Sequence, residues 1–504
     1  MRKLICCTLL FCAFGFGAIS NTMQWDVRTT GSDTAAAGGY DPGVSAPGTD
    51  ASQGTATAFS DLIAAGSTAT SVSLAFSATT HGPGNTILIT GGSGCTTGVF
   101  EMLSQAAGVG MFDRSMGTGT CTGYFGGSLA TPCSAWSGGC TAGAFAWISS
   151  ASGGYNTVWV KAGTYTCATA LVSNSCYENI NVFGQSASVE VRGYSSTHGD
   201  LPTNPINLGS NPLFTTSVAT LQIFNESGNY VFVAVSFSNT VASGSPYALV
   251  ANVNSGYLYV TASRFDISGT TAGEGIYEQY TYGTTIWASE FKGNSTGACI
   301  ADLGSANQKG ALWVGQGTYV HGCGEGIWDY NNNGNQAWYV SDSVFASNGR
   351  HIYQQAGGQL LSIHASAFYN ATNEAAKVNP NSDPDFVLNV DNSIFWGGTY
   401  ALSLTNAANP AYSDNAYGNF STANWNNATP VMVGVPDITL TAIPWVSAST
   451  GNFTLNTTAG GGALLVSPAG YPGSSPAGTG YLAVGPLQPQ SSSGGGSAPH
   501  AYVQ

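Results

Sequence analysis

The sequence predicts an all-β solenoid, in which short strands coil into a stacked tube. The first indication is a repeat: VLNVDNSIFWGGT, residues 387–399, follows the pattern of AWYVSDSVFASNG, residues 337–349. Composition agrees, since only 7% of the 504 residues are Asp, Glu, Lys or Arg and 68 are Gly. Ordinary soluble proteins carry roughly 25% charged residues and about half as much glycine. Such a composition favours short strands joined by many turns.

The repeat is anchored on one aromatic residue per copy. It recurs at Phe237, Phe265, Phe291, Tyr319, Phe345, Phe368 and Phe395, with spacings of 28, 26, 28, 26, 23 and 27 residues. An apolar residue stands five positions before the aromatic in every copy and seven positions before it in all but one, and Ser usually stands two before it. This alternation with period two indicates a strand. Each copy is therefore expected to form one coil, stacked on the next about 4.8 Å away.

Four further segments carry a resemblance to a known family. They are NTVWVKAGTYT (156–166), VEVRGYSSTHGD (189–200), GNFTLNTTAGGGALL (451–465) and TGYLAVGPLQ (479–488). With the coils, they resemble the right-handed parallel β-helix proteins of the pectin-lyase-like superfamily. QWDVRTTGSDT (24–34) is similar to the opening of environmental bacteriophage members. The resemblance implies a right-handed parallel β-helix but leaves the activity open, because this scaffold hosts many functions.

The chain divides into five predicted parts. Residues 1–20 are interpreted as a secretory signal peptide, with Arg2 and Lys3 before an apolar run. Residues 21–150 are predicted to form a small β-rich N-terminal domain and solenoid cap, 151–430 the β-helix, 431–488 a closing segment and 489–504 a flexible tail. If translation starts at Met23, the leader is not part of the protein and a virion surface is the expected location. Otherwise the protein is expected to be secreted or at the cell surface.

The charge balance narrows the class of partner. With 11 basic and 25 acidic residues, the chain lacks the cations that a nucleic-acid-wrapping protein needs. No stretch after the leader is long and apolar enough to span a membrane. A polysaccharide or a cell-surface glycan is the expected partner.

The cysteines favour an oxidising compartment. Eight remain once the leader is removed, an even number that suits disulfide bonds. We expect a vertical disulfide between consecutive coils and two that close short loops; these pairs are Cys299–Cys323, Cys167–Cys176 and Cys133–Cys140. No CxxC pair occurs, so no structural zinc site is predicted.

An acidic column is the main candidate for chemistry. Two residues after an Ile in successive coils stand Glu278, Asp302 and Asp329, which we predict as catalytic. Neighbouring coils would place such carboxylates roughly 5 Å apart and alternate coils roughly 10 Å, which brackets the separations in glycosidases. The structural alternative is that each acid only begins a solvated turn. No metal ligand set and no cofactor are predicted; calcium, with Asn331 to Asn333 as added oxygen donors, is kept as an alternative.

Aromatic residues directly precede the acids on the same strands. Tyr277, Trp328 and Tyr353, together with His351, are predicted to bind substrate by stacking on sugar faces. The alternative is that these rings only protect the coil.

Two further pairs are vertical neighbours in the repeat. His364 and Asp391 both lie four residues before their aromatic, as a base with its orienting carboxylate or as an exposed hydrogen-bonded pair. Arg264 and Glu290 are expected to form a surface salt bridge worth at most about 1 kcal/mol.

Three functions follow from these features. The leading one is an adhesin-like or phage-spike-like module that binds glycan; the alternatives are a polysaccharide lyase or glycoside hydrolase, and a purely structural surface or spike protein. The last alternative predicts a homotrimer.

Overall fold

The computed structural model describes most of the region between residues 23 and 465. The described residues are 23–32, 57–63, 86–106, 109–112, 115–125, 128–130, 155–167, 176, 188–196, 198–200, 210–218, 222–225, 229–242, 246–253, 256–279, 281–302, 310–329, 337–355, 360–379, 386–404, 411–426, 431–432 and 437–465. The predicted signal peptide, the tail, and Cys133 and Cys140 lie outside them. Strands are numbered along the chain from β1 to β37.

Within the described residues the fold is the all-β, right-handed parallel β-helix that the repeat predicts, with three strands per coil. The first sheet has 12 strands, all parallel. In spatial order they are β1 (Met23–Val27), β7 (Tyr155–Lys161), β9 (Ser188–Tyr194), β12 (Asn229–Val233), β15 (Tyr257–Thr261), β18 (Gly283–Trp287), β21 (Ala311–Gly315), β24 (Ala337–Ser341), β27 (Leu360–His364), β30 (Val387–Asp391), β32 (Ala411–Ser413) and β34 (Val431–Met432).

The second sheet holds the short strand that carries the aromatic column. Its strands are β8 (Thr164–Cys167), β10 (Leu213–Thr216), β13 (Ser236–Asn239), β16 (Arg264–Asp266), β19 (Glu290–Lys292), β22 (Tyr319–His321), β25 (Val344–Ala346), β28 (Ala367–Tyr369), the first parts of β31 (Ile394–Leu404) and β33 (Ala416–Asn426), and β35 (Ile438–Leu440).

The third sheet holds the strand that follows the aromatic turn. Its strands are β11 (Gln222–Asn225), β14 (Tyr247–Val253), β17 (Glu274–Gln279), β20 (Ala298–Asp302), β23 (Glu325–Asp329), β26 (Arg350–Gln354), β29 (Glu374–Val378) and the second parts of β31 and β33.

The predicted columns form the core. The residue five positions before the aromatic pairs coil by coil, as in Val340 with Ile363 and Ile363 with Val390. All three of these side chains are buried. The aromatic rings stack at centroid distances such as 4.7 Å between Phe368 and Phe395. Like residues therefore pack on like along the tube.

One position of the predicted aromatic column is wrong. Register pairs Val320, and not Tyr319, with Phe291 below and Phe345 above. This coil carries an additional turn residue, since Gln316 and Gly317 both have positive φ, at 52° and 84°. The extra residue moves Tyr319 to the outer face and brings the smaller Val320 into the stack.

The repeated Ser holds the turn between the first and second sheets. The residue before it takes a left-handed conformation, for example Ala262 at φ 48° and Ala365 at φ 44°. Such a conformation is costly for a residue with a side chain. Ser366 compensates by donating from Oγ to the His364 carbonyl at 2.9 Å and by accepting the Ser343 N–H at 3.3 Å. The column therefore satisfies buried backbone groups, which explains its presence in the repeat.

The N-terminal part supplies one strand to the β-helix. An antiparallel sheet is formed by β2 (Thr57–Ile63), β3 (Thr86–Gly92), β4 (Gly98–Ala106), β5 (Val109–Phe112) and β6 (Gly119–Phe125). A Cys95–Cys121 disulfide, which the spacing did not predict, links it internally. Because β1 pairs in parallel with β7, this sheet is inserted between two strands of the helix. Strand pairing thus crosses the predicted boundary at residue 150, and the division into domains stays a prediction.

Two predicted disulfides are present within the described residues. Cys299 pairs with Cys323 across consecutive coils, and Cys167 pairs with Cys176 within a short loop.

The closing segment folds back over the outer face of the second sheet. It contains a hairpin of β36 (Trp445–Ser447) and β37 (Asn452–Leu455), with short 3-10 turns at Ala448–Thr450 and Gly462–Leu464. Trp445 and Phe453 contact the outward ring of Tyr369 at centroid distances of 5.8 and 6.1 Å. A second apolar cluster therefore lies outside the tube, between this hairpin and the coils.

Candidate functional site

The predicted acidic column exists, but it faces the interior. Glu278 pairs with Asp302 and Asp302 with Asp329, on β17, β20 and β23. Their exposed fractions are only 4%, 5% and 0%. The expectation that these carboxylates line an accessible groove is therefore wrong. Their catalytic role stays a prediction, and in this fold it would require the coils to open.

The interior gives these acids a chemistry different from that of a surface groove. The Trp338 indole N–H donates to Asp302 Oδ2 at 3.1 Å. Burial, together with the negative charge of Asp302, raises the pKa of Glu278 well above its usual value. Gln354 continues the column above Asp329 and is fully buried. The column is a polar seam in an otherwise apolar core.

The predicted aromatic residues lie on the opposite side of the same sheet. Tyr277, Trp328 and Tyr353 are half-buried and point outward, while the residues that follow them, Glu278, Asp329 and Gln354, point inward. Successive side chains of a strand face opposite ways, so adjacent residues do not share a groove. The acids and the rings are thus two separate features, the interior acidic column and an outer aromatic strip.

Charged side chains accompany this outer aromatic strip. Arg350 donates to Glu325 at 2.7 Å and to Glu374 at 2.9 Å, so three consecutive coils are joined by ion pairs. Its guanidinium lies 4.5 Å from the centre of the Tyr353 ring. Burial raises the pKa of Glu325 to about 7, although Arg350 acts in the opposite direction. The charged groups beside the outer aromatic strip therefore bond mainly to one another.

His351 lies inside the coil, which contradicts its prediction as a substrate contact. It is fully buried, packs between Phe345 and Phe368, and Asn348 Nδ2 lies 3.0 Å from its Nδ1. Burial lowers the pKa of His351 to about 3. The side chain is a neutral member of the core, with no surface at which to meet a ligand.

A larger aromatic surface lies on the outer face of the first sheet, and sequence reasoning missed it. We call it the aromatic face; it consists of Tyr257, Tyr259, Tyr282, Trp287, Trp313 and Tyr339. Four of these rings are between 39% and 43% exposed, namely Trp313, Trp287, Tyr257 and Tyr282. The rings of Trp313 and Tyr339 stack at 5.6 Å with an angle of 7° between their planes. Their signal was available, since all of them except Tyr282, which precedes β18, alternate with the inward residues that define the repeat.

A glycine lies between two rings of the aromatic face. Gly283 lies on β18 between Tyr257 and Ala311 on the neighbouring coils. A Cβ at Gly283 would lie 3.1 Å from the Trp313 ring and 3.3 Å from the Tyr257 ring. The two rings therefore lean over a position where only glycine leaves room.

The vertical contact predicted for His364 and Asp391 is present in the same sheet, where these residues are the last of β27 and β30. His364 Nδ1 lies 2.6 Å from Asp391 Oδ2, and both side chains are partly exposed. The hydrogen bond to Asp391 raises the pKa of His364, against the effect of burial. Ser341 occupies the same position one coil earlier, paired in register with His364.

The salt bridge predicted for Arg264 and Glu290 is also present. Arg264 Nε lies 3.2 Å from Glu290 Oε2. Arg264 also contacts Asp266, and Glu290 contacts His321. These groups form a surface network on the second sheet.

The described part of the chain contains neither a clustered metal-ligand set nor a membrane-spanning helix. Within it, no group of three or more His, Cys, Asp or Glu side chains is arranged to hold a metal ion. Asn331 to Asn333, the added donors of the calcium alternative, lie outside it. Among these same residues no helix has both the length and the apolar character to cross a bilayer.

Comparisons with known proteins give only a weak likeness. No family model and no curated protein matches the sequence. One similar solved structure is described as the catalytic domain of a GH87 α-1,3-glucanase in complex with nigerose, with 11% identity, 81% of this chain and 89% of that chain covered, and a TM-score of 0.22. A single-residue variant of that domain matches at 9% identity over the same shares, with a TM-score of 0.20. Scores this low carry no conclusion about activity or substrate.

Proposed function

We propose that the protein binds a polysaccharide through the aromatic face of its first sheet. The observation that carries this proposal is the exposure of four large Trp and Tyr rings along the outer side of one sheet. Exposed apolar area of this kind on a folded protein commonly marks a binding site. A sugar ring offers a face of C–H groups to an aromatic plane, and its hydroxyl groups can bond to the Tyr hydroxyl or the Trp N–H.

The arrangement of the rings favours an extended ligand. Trp313 and Tyr339 lie on neighbouring coils, and Tyr257 and Trp287 belong to the coils before them. Because coils repeat about every 4.8 Å, a chain lying along the tube meets several rings in succession. Only 7% of the residues are charged, which fits a ligand recognised through its uncharged faces.

The outer aromatic strip of the third sheet is a second candidate surface. Tyr277 contacts Tyr247 at a centroid distance of 4.8 Å, and Trp328 donates to Gln355 at 3.4 Å. Arg350, Glu325 and Glu374 next to it are groups that bond to sugar hydroxyls. Their mutual ion pairs make this strip the weaker candidate.

The proposal is tested by glycan-array binding of matched variants. We expect the double variant Trp313→Ala/Tyr339→Ala to lose at least about tenfold in affinity, or about 1.4 kcal/mol. The triple variant Tyr277→Ala/Trp328→Ala/Tyr353→Ala is the control and should retain binding. Full binding by the double variant, with loss in the triple variant, would move the site to the third sheet; no binding by the intact protein would contradict the proposal.

Different measurements distinguish the two alternative functions from glycan binding. The lyase or hydrolase alternative, with Glu278, Asp302 and Asp329, predicts reducing ends or unsaturated products from a polymer library, lost in Asp302→Asn. The structural alternative predicts a tight homotrimer by light scattering. We also infer that the chain is a distant pectin-lyase-like protein that acts outside the cell, at a cell or virion surface, because it combines stacked coils with disulfide bonds.

A further inference from the structure

We propose that Ser341, His364 and Asp391 form a nucleophilic site that hydrolyses carboxylic esters. The three side chains occupy the same outward position on three consecutive strands of the first sheet, β24, β27 and β30. Register pairs Ser341 with His364 and His364 with Asp391. A nucleophile, a base and an orienting carboxylate are thus stacked in chain order along the tube.

The carboxylate end of this site is formed in the structure. Asp391 Oδ2 accepts a hydrogen bond from His364 Nδ1 at 2.6 Å, which fixes the ring and its tautomer. The nitrogen that would take a proton from Ser341 is then Nε2. Asp342, which follows Ser341, is the other acidic group whose charge acts on His364. Both carboxylates stabilise the imidazolium that forms when the base takes a proton.

The serine end faces a glycine and an indole. Parallel strands lie about 4.8 Å apart, so Ser341 and His364 are adjacent side chains on one face. Below Ser341 the same column holds Gly315 and then Trp287. A Cβ at Gly315 would lie 3.0 Å from Ser341 Oγ and 3.7 Å from Trp287 Cδ1. Even a Cβ at this position would press on the serine hydroxyl, so glycine leaves Ser341 Oγ unobstructed from below, and the Trp287 indole beyond it carries an N–H donor.

The chemistry balances without a cofactor. Ser341 Oγ forms a bond to the ester carbonyl carbon while its proton passes to His364. The carbon–alkoxy bond then breaks, and the alcohol leaves with that proton. Water next attacks the acyl-serine, gives a proton to His364, and the carboxylic acid leaves as the proton returns to Ser341 Oγ. The net reaction is ester plus water to acid plus alcohol.

The neighbouring rings indicate the substrate class. Tyr339 is the outward residue two positions before Ser341, and Trp313 is two positions before Gly315, so the aromatic face continues to the Ser341 column. A polysaccharide bound along that face would bring an O-acyl group to Ser341. The sugar part of this assignment rests on the proposed function; the ester part rests on the Ser341 column alone.

The test uses a small fluorophosphonate probe, which carries no sugar and reports on the nucleophile independently of glycan binding. We expect the full-length protein to form one phosphonyl adduct, located by peptide mass spectrometry at Ser341. Labelling should disappear in Ser341→Ala. Its rate should fall on the order of 10²- to 10⁴-fold in His364→Ala, the range that a general base contributes. Ser362→Ala, an outward serine on the strand of His364, is the matched control and should label normally.

Hydrolysis of p-nitrophenyl acetate should likewise be lost in Ser341→Ala, strongly slowed in His364→Ala and unchanged in Ser362→Ala. A wild-type protein that forms no adduct, or an adduct that persists in Ser341→Ala, would overturn the assignment. Glycan binding lost with labelling intact would leave this site standing and remove only its sugar substrate.

Discussion

At the scale of single residues, one buried acid makes the stability of the fold depend on pH. Glu278 has its pKa raised in the folded state, first by burial and then by the charge of Asp302. A carboxyl group of this kind binds its proton more tightly folded than unfolded, so it stabilises the fold fully only below its unfolded pKa. That stability is lost as the pH rises toward the folded value.

We therefore expect the contribution of Glu278 to the free energy of unfolding to fall as the pH rises from about 4.5 toward neutrality. One such group contributes up to about 1.4 kcal/mol per pH unit within that window. Glu278→Gln should flatten the decline, measured by denaturant unfolding between pH 4 and pH 8.

Gln354→Leu provides the control for this prediction. It alters the same buried column but removes no titrating group, so it should shift the curve without changing its slope. An unchanged slope in Glu278→Gln would contradict the assignment of the pH effect to this carboxyl group.

The acids also show where sequence reasoning at this scale succeeds and fails. The 26-residue period correctly placed Glu278, Asp302 and Asp329 in one column. It assigned them to the wrong side of the sheet, because Tyr277 and Glu278 are adjacent and so must point in opposite directions. Ile276 is an inward apolar residue of the repeat, and the period of two along a strand puts Glu278 on the inward side as well. The expectation that charged side chains lie at the surface was applied in place of this alternation.

At the scale of elements, the first strand is held by a buried ion-pair network. Asp26 on β1 is fully buried and accepts hydrogen bonds from Arg28 at 2.6 Å, from the Tyr194 hydroxyl on β9 at 2.7 Å, and from His198 at 2.8 Å. Two coils are thereby joined through one carboxylate. No pattern in the sequence predicts this network, since its four members lie up to 172 residues apart.

Asp26→Ala should lower the free energy of unfolding by about 3–5 kcal/mol, because it leaves Arg28 buried without its counter-charge. The measurement is the denaturant midpoint and slope. Asp266→Ala is the control, since it removes a partly exposed partner of Arg264 and should cost about 1 kcal/mol or less. Equal losses in the two variants would show that the Asp26 network adds nothing beyond a surface pair.

Elements were predicted well where one residue type repeats in every coil. The column of Val340, Ile363 and Val390 and the Ser column could be read directly, because stacking demands the same shape at the same place. The coil of Tyr319 was misplaced by one residue since the additional turn residue at Gln316–Gly317 has no counterpart in the other copies. The outward column of Trp287, Ser341, His364 and Asp391 varies from coil to coil, so no repeat marks it.

At the scale of the whole molecule, the closing segment acts as an external brace. Its hairpin packs Trp445, Ala448 and Phe453 against outward apolar side chains of the second sheet. We expect a chain ending after residue 441, which keeps β35 but not the hairpin, to lose several kcal/mol of stability, because burial of a large aromatic side chain contributes about 1.5–3 kcal/mol.

This prediction is checked by thermal unfolding and by binding of a dye that detects exposed apolar surface. A chain ending after residue 465 keeps the hairpin and is the matched control. The brace would be refuted if the shorter chain unfolded at the same temperature as the longer one and bound no more dye.

The brace also sets an order of events for the newly made chain. Coils can stack one at a time as they emerge, each using the previous coil as its template. The outer apolar strip around Tyr369, however, stays uncovered until the hairpin of β36 and β37 has been made. During that interval a second unfinished chain exposes the same apolar strip, and the two strips can associate. Crowded or slowed synthesis should therefore give aggregates of chains whose coils are already correctly folded.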